Sequence, residues 1–136
     1  MIQKTVAEVM KEDFDVVDRM ATINEALSSM RHHDTKCLIV EKRDDKDEYG
    51  MLLISDVARN VIGRDRSPDR VNVYEIMTKP VITVKPEMNI RYCARLFERF
   101  DLSRAPVVKD SKVIGIVSFT DMVMKGLCEE DGFCET

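Results

Sequence analysis

Gly50-Met-Leu-Leu-Ile-Ser-Asp56 and Gly115-Ile-Val-Ser-Phe-Thr-Asp121 are two versions of one heptapeptide. In each, a glycine leads an apolar run that ends at an aspartate, the pattern of a strand running into the start of a helix. Outward from it, Val6-Ala-Glu-Val-Met10 recurs as Val73-Tyr-Glu-Ile-Met77 at a shift of 67 residues. Val17 meets Val84 and Ile23 meets Ile90 at the same shift, whereas Leu38-Ile-Val40 meets Pro106-Val-Val108 at 68 and Asp56 meets Asp121 at 65. The changing shift places length differences in loops: nine residues separate Val40 from Gly50, and six separate Val108 from Gly115. Matching features in one order over this length mark a duplicated unit.

Each copy predicts the same elements. A short helix covers Val6–Met10, or Val73–Met77, and a short strand follows at Asp15–Val17, or Val81–Val84. Ile23, Ala26, Leu27 and Met30 then fit the one-face template of an amphipathic helix, as do Ile90, Cys93, Ala94 and Phe97. Thr22 with Glu25 makes a capping box at the first of these. Two hairpins are expected, Cys37–Val40 with Gly50–Ile54 and Ala105–Val108 with Val113–Ser118, and a last helix begins at Asp56 or Asp121. The fold class is therefore α/β (α+β): two pseudo-symmetric units, each β-α-β-β-α with a leading short helix. A unit of about 60 residues buries too little surface to be stable alone, so the two are expected to pack through their sheets and leave a cleft. The boundaries are 1–62 for the first copy, 63–72 for a polar linker, 73–128 for the second copy and 129–136 for an acidic tail.

Composition narrows the function. Twenty-five acidic against 21 basic residues leave a net charge of −4, which argues against binding nucleic acid through clustered cations. No apolar run approaches the roughly 18 residues of a membrane span, and the first residues have no signal-like apolar region, so a cytoplasmic location is expected. Cys37, Cys93, Cys128 and Cys134 form no Cys-x-x-Cys pair and lie far from His32 and His33, so no metal site is expected. They read as free thiols, Cys37 and Cys93 in the core and Cys128 and Cys134 near the tail. The run Lys42-Arg-Asp-Asp-Lys-Asp-Glu48 reads as a solvated hairpin loop, and His32-His33 as a solvated helix end.

The Met-closing first helix, the Pro106-Val-Val108 strand and the Gly115-Ile-Val-Ser-x-x-Asp121 turn, in duplicate, resemble the CBS domain in its paired form, the Bateman module. The resemblance covers about residues 5–62 and 73–127 and implies a stand-alone regulatory pair. It further implies an adenosine-containing ligand, expected as AMP, ADP or ATP with S-adenosylmethionine or NAD as further candidates, held in clefts between the copies. It also implies a homodimer formed through helices, for which Val57, Val61, Met122, Val123 and Met124 are candidates. A regulatory role also implies a regulated partner, another protein or a second copy of the module.

The second copy offers the fuller ligand set. Asp121 can accept hydrogen bonds from both vicinal hydroxyls of a ribose, with the hydroxyls of Ser118 and Thr120 beside it and a helix start behind. Arg104, just before Ala105 and Pro106, can pair bidentately with phosphate, and the resemblance adds Thr83 as an adenosine-side contact. Each has a plainer role: Asp121 as a helix cap, Ser118 as a strand residue, Arg104 as a solvated turn residue and Pro106 as a strand-start residue. The first copy retains Asp56 and Ser55, but Leu53 stands where Ser118 does, Lys36 stands roughly where Arg104 does, and no proline precedes Ile39. It is expected to be the weaker site.

Two functions follow: a sensor that changes the arrangement or partner contacts of its copies when an adenosine ligand binds, or a ligand-free interaction module with a degenerate site. The chain has no Gly-rich phosphate loop and no Ser-His-Asp set, and its 136 residues are nearly used up by the repeat, so no catalysis is expected and no cofactor is required.

Overall fold

The computed structural model describes residues 3–129. They fall into two compact units, one spanning Asp13–Val81 and the other joining the residues up to Glu12 with those from Ile82 onward. The leading helix of the chain, α1 (Val6–Val9), thus belongs to the unit built mainly from the second copy.

In the unit Asp13–Val81, β1 (Val16–Val17) precedes α2 (Ile23–Ser29), followed by the hairpin of β2 (Cys37–Val40) and β3 (Gly50–Leu53). β2 is the central strand, parallel to β1 and antiparallel to β3. All four β2 residues are buried, the continuous apolar run of a strand covered on both faces. α3 (Ile54–Val57) continues as a π-helical stretch over Ala58–Ile62, and α4 (Val73–Ile76) closes the unit. The core gathers Ile23, Ala26, Leu38, Val40, Leu52, Val71 and Val73. The capping box at α2 forms as expected: the Thr22 hydroxyl accepts from the Glu25 N–H at 3.1 Å, and Glu25 accepts from the Thr22 N–H at 3.2 Å.

The other unit holds α5 (Ile90–Arg99), an antiparallel hairpin of β4 (Arg104–Lys109) and β5 (Lys112–Ser118), and α6 (Phe119–Val123), with a π-helical continuation over Met124–Glu129. Its core brings Val6 and Val9 of α1 against Ile90, Cys93, Phe97, Val107 and Val117. Each leading helix therefore fills the core of the unit built from the other copy: Val73 in one, Val6 and Val9 in the other, all fully buried. The sequence boundaries 1–62 and 73–128 describe the repeat, and the compact units divide the chain differently. The 63–72 segment expected as a linker is part of the unit Asp13–Val81, with the Val71 carbonyl accepting from Ile23 at 2.8 Å and that of Pro68 from Asn24 at 3.0 Å.

The structure corrects several boundaries. Both closing helices start two residues before the aspartate, at Ile54 and Phe119. The strand expected at Val81–Val84 shrinks to one parallel bridge between Val84 and Val107. The cause is Pro106. In the first copy Ile39 and Glu41 donate to Asp15 and Val17, at 2.9 and 3.1 Å. In the second copy Val108 still donates to Val84 at 2.9 Å, but Pro106 has no N–H to pair the next residue of the first strand.

Register also corrects the alignment of the copies. Arg104 lies opposite Ser118, and Cys37 lies opposite Leu53, so the first-copy counterpart of Arg104 is Cys37 and not Lys36. The shift of 67 holds through this strand, and the length change falls wholly in the hairpin loop.

That loop is more tied down than a solvated charge run. Asp47 is held by Lys79 at 2.7 Å and by the side chain and backbone N–H of Arg43. Cys37 and Cys93 are buried and outside any disulfide, as expected. Cys128 is disulfide-bonded, correcting the free-thiol expectation, since pairing depends on where sulfurs meet in space and not on sequence spacing. Cys134 and the tail from residue 130 lie outside the described residues.

Candidate functional site

The strand β5 hands over to α6 at Ser118, which ends an extended stretch and caps the helix. The Ser118 hydroxyl accepts from the Asp121 N–H at 3.2 Å, while Asp121 Oδ2 accepts from the Ser118 N–H at 3.0 Å and from its hydroxyl at 2.9 Å. Asp121 therefore closes a capping box from the third helical position, and Ser118 is the cap. The other carboxylate oxygen, Oδ1, accepts from the Lys11 ammonium. Both oxygens thus have partners, and Asp121 is 4 % exposed.

Lys11 reaches this position because the chain leaving α1 is pinned to β5. Lys11 N–H donates to the Ile116 carbonyl at 2.8 Å, and Ile116 N–H donates back at 2.9 Å. The approach is close enough to require a glycine next to it. A Cβ on Gly115 would stand 2.7 Å from Met10 Sδ and 2.8 Å from the Lys11 carbonyl oxygen.

Around this pair the other expected residues take different positions. Thr120 and Thr83 are exposed, Thr83 next to the bridge residue Val84. Arg104 is half-buried opposite Ser118 in the hairpin, its Nε donating to the Ser103 hydroxyl at 3.4 Å. Ala105 and Pro106 are buried in β4, and the Pro106 carbonyl accepts from Val84 at 3.0 Å. Strand β4 and the turn into α6 so bring Arg104, Ser118 and Asp121 onto one hairpin end.

The first copy repeats the frame with different side chains. Thr78 takes the place of Lys11, exchanging backbone hydrogen bonds with Met51 at 2.9 Å in each direction. Leu53 takes the place of Ser118 and supplies no side-chain cap to α3. Asp56 is consequently released from a capping box. Its partner is the neighbouring Arg59 at 3.3 Å, an exposed i,i+3 pair of small energetic weight. Ser55 is exposed at the same turn, and Lys36, in the left-handed region at φ 58°, lends its carbonyl to Ile54 N–H at 3.1 Å. Leu27, Met30, His33, Lys36 and Ile54 line an open pocket of about 440 Å³ here.

Of the helix residues expected to form a homodimer, Val57, Val61 and Met122 are core residues of their own units, whereas Val123 and Met124 are about half exposed. Thr35 was not anticipated: it is 2 % exposed and its hydroxyl bonds the carbonyls of His32 and Cys37. Lys11 was missed as well. The signal available was its mismatch with Thr78 directly after the matched Val6–Met10 and Val73–Met77 segments.

Two titratable groups away from the site are held low. Asp47 lies well below the usual carboxylate range, through Lys79 first and then the backbone and side chain of Arg43. Glu75 is lowered by the backbone N–H of Asn72 and by Arg66. Burial pushes the Cys93 thiol up to about 11. Among the described residues no cluster of side chains suits a metal ion, and no helix is long and apolar enough to cross a membrane.

A family model described as the CBS domain matches residues 6–63 and 73–126. An uncharacterised protein of Methanopyrus kandleri, MK0525, is 31 % identical over 88 % of this chain and 61 % of its own length. The chain thus spans about three fifths of that relative. The hexameric CBS-CP12 protein from bloom-forming cyanobacteria has a TM-score of 0.87 at 32 % identity, over 93 % of this chain and 70 % of that one. The CBS domain pair of protein MJ0100, solved with 5′-methylthioadenosine and S-adenosyl-L-methionine, has a TM-score of 0.72 at 23 % identity, over 88 % of this chain and 96 % of that one.

Proposed function

The chain belongs to the CBS domain family as a tandem pair, and we propose that it is a regulatory module that binds an adenosine ligand of the AMP, ADP or ATP class. The observation that carries this reading is the duplicated strand-to-helix turn with an aspartate at an equivalent place in both copies, Asp56 and Asp121. A carboxylate so placed suits two vicinal hydroxyls, and Arg104 on the same hairpin end suits a phosphate. Thr83, Ala105, Pro106, Ser118 and Thr120 complete the proposed set around Asp121. Ser55 and Lys36 accompany Asp56 in the second. A CBS pair of the same fold has been crystallised with two adenosine-containing compounds, which supports the ligand class. S-Adenosylmethionine and NAD belong in the same panel.

The ligand signals only if it binds two arrangements of the protein with different affinity. A homodimer through the helices is part of the proposal, with the exposed Val123 and Met124 as its candidate contacts. A cytoplasmic, non-catalytic role completes it. The occupied carboxylate of Asp121 favours a second reading, an interaction module without ligand.

Thermal unfolding with AMP, ADP, ATP, NAD and S-adenosylmethionine separates the two, because a ligand that binds only the folded chain raises its midpoint. A concentration-dependent rise with at least one is expected of the sensor. Unchanged midpoints at millimolar concentration with all five leave the interaction module.

A further inference from the structure

We infer that Lys11 is a built-in occupant of the second-copy carboxylate, so that a ligand reaches Asp121 only by displacing the lysine ammonium. This rests on the ligand-binding reading above and concerns how one of its two carboxylates is controlled. Three observations carry it. The Asp121 carboxylate is 4 % exposed, and Ser118 takes one oxygen while Lys11 takes the other. Lys11 does not arrive by chance, because a reciprocal pair of backbone hydrogen bonds to Ile116 fixes its position on β5. The equivalent position in the other copy, pinned in the same way to Met51, is Thr78, and there Asp56 pairs with its neighbour Arg59.

The physical consequence is a competition. A buried carboxylate needs a partner, and a lysine supplied by the same chain is present at high effective concentration. Two ribose hydroxyls must therefore replace an ammonium already in contact, and the site's apparent affinity falls by the fraction of time that Lys11 occupies it. The flexible four-carbon stem allows Lys11 to withdraw without moving the backbone that anchors it. Lys11 so acts as a specificity-determining residue that weakens ordinary hydroxyl donors at Asp121.

The test copies the other half of the molecule. Full-length Lys11→Thr, which installs the residue found at position 78, is compared with the wild type by isothermal titration calorimetry using AMP, ADP and ATP. Binding tighter by about tenfold is expected, a change of ~1.4 kcal/mol, and adding Asp121→Asn to Lys11→Thr should remove the gain. Circular dichroism checks the fold. Lys11→Met, which keeps the chain length without a donor, serves if the threonine variant does not fold, with the same gain expected.

Equal affinity in wild type and variant overturns the inference while leaving the module a sensor. Weaker binding in the variant also overturns it, since Lys11 would then contact the ligand itself. Binding by neither protein overturns the ligand-binding reading and the inference with it.

Discussion

Asp121 and Asp56 show how much a neighbour matters to a side chain of fixed identity. With a serine at position 118, Asp121 is drawn into a capping box and buried; with a leucine at position 53, Asp56 makes no such box and keeps 18 % of its side chain exposed. Sequence reasoning found both aspartates, because each sits in a repeated heptapeptide, but it ranked the sites by counting polar groups. It did not read Ser118-x-x-Asp121 as a capping box, although the spacing matches that of Thr22 with Glu25, and nothing local pointed to Lys11, 110 positions away, as the partner that completes the pair. Replacing Ser118 with alanine removes a cap from α6 and two of the hydrogen bonds to Asp121, and a loss of about 1–2 kcal/mol is expected from urea unfolding. At the same scale, Cys93 is fully buried with its thiol raised to about 11. Cys93 and the equally enclosed Cys37 should resist iodoacetamide in the native protein near pH 8 and react only with denaturant, as read by mass spectrometry. Rapid labelling of either without denaturant would contradict that burial.

Elements were legible where periodicity and capping agree and less so where a partner decides. The α2 capping box and the buried Ile23, Ala26, Ile90, Cys93 and Phe97 follow from local spacing, whereas Leu27, expected on the same buried face, is exposed and Met30 falls just past the end of α2. The lost strand before Val84 does not, because it depends on Pro106 in a strand that is distant in sequence. The same holds for the segment after each leading helix, pinned on a β-strand beside a glycine. A Cβ at Gly115 meets the Lys11 carbonyl oxygen at 2.8 Å, whereas at Gly50 the nearest backbone atom, the Thr78 carbonyl oxygen, is 3.2 Å away. Gly115→Ala should thus lower the thermal midpoint clearly more than Gly50→Ala, with equal losses arguing against the closer approach. Acid acts on the unit Asp13–Val81 through Asp47 and Glu75. Both are depressed in the folded state, so their contribution is present above the ordinary carboxylate range and is lost as pH falls below about 4. Chemical unfolding between pH 7 and pH 3 should show stability falling with pH, and Asp47→Asn should flatten part of that slope.

For the whole molecule, the repeat announced two copies but concealed how the chain divides between compact units. Helix α4 belongs with the first copy and α1 with the second, because Val73 and Val6 are core residues there. A 13–81 fragment keeps Val71 and Val73 in its core, whereas a 1–62 fragment lacks both, so in denaturant the 13–81 fragment should show the more cooperative unfolding of the two. Cooperative unfolding of the 1–62 fragment alone would contradict the exchange of leading helices. The family and the fold are carried by the two matched segments and by the likeness of the structure to CBS pairs. The central claim is that this pair holds an adenosine ligand, and its most direct test is thermal unfolding of the full chain with the panel of AMP, ADP, ATP, NAD and S-adenosylmethionine. A midpoint that climbs with the concentration of at least one of them is predicted, and midpoints that stay flat to millimolar concentration for all five would contradict it.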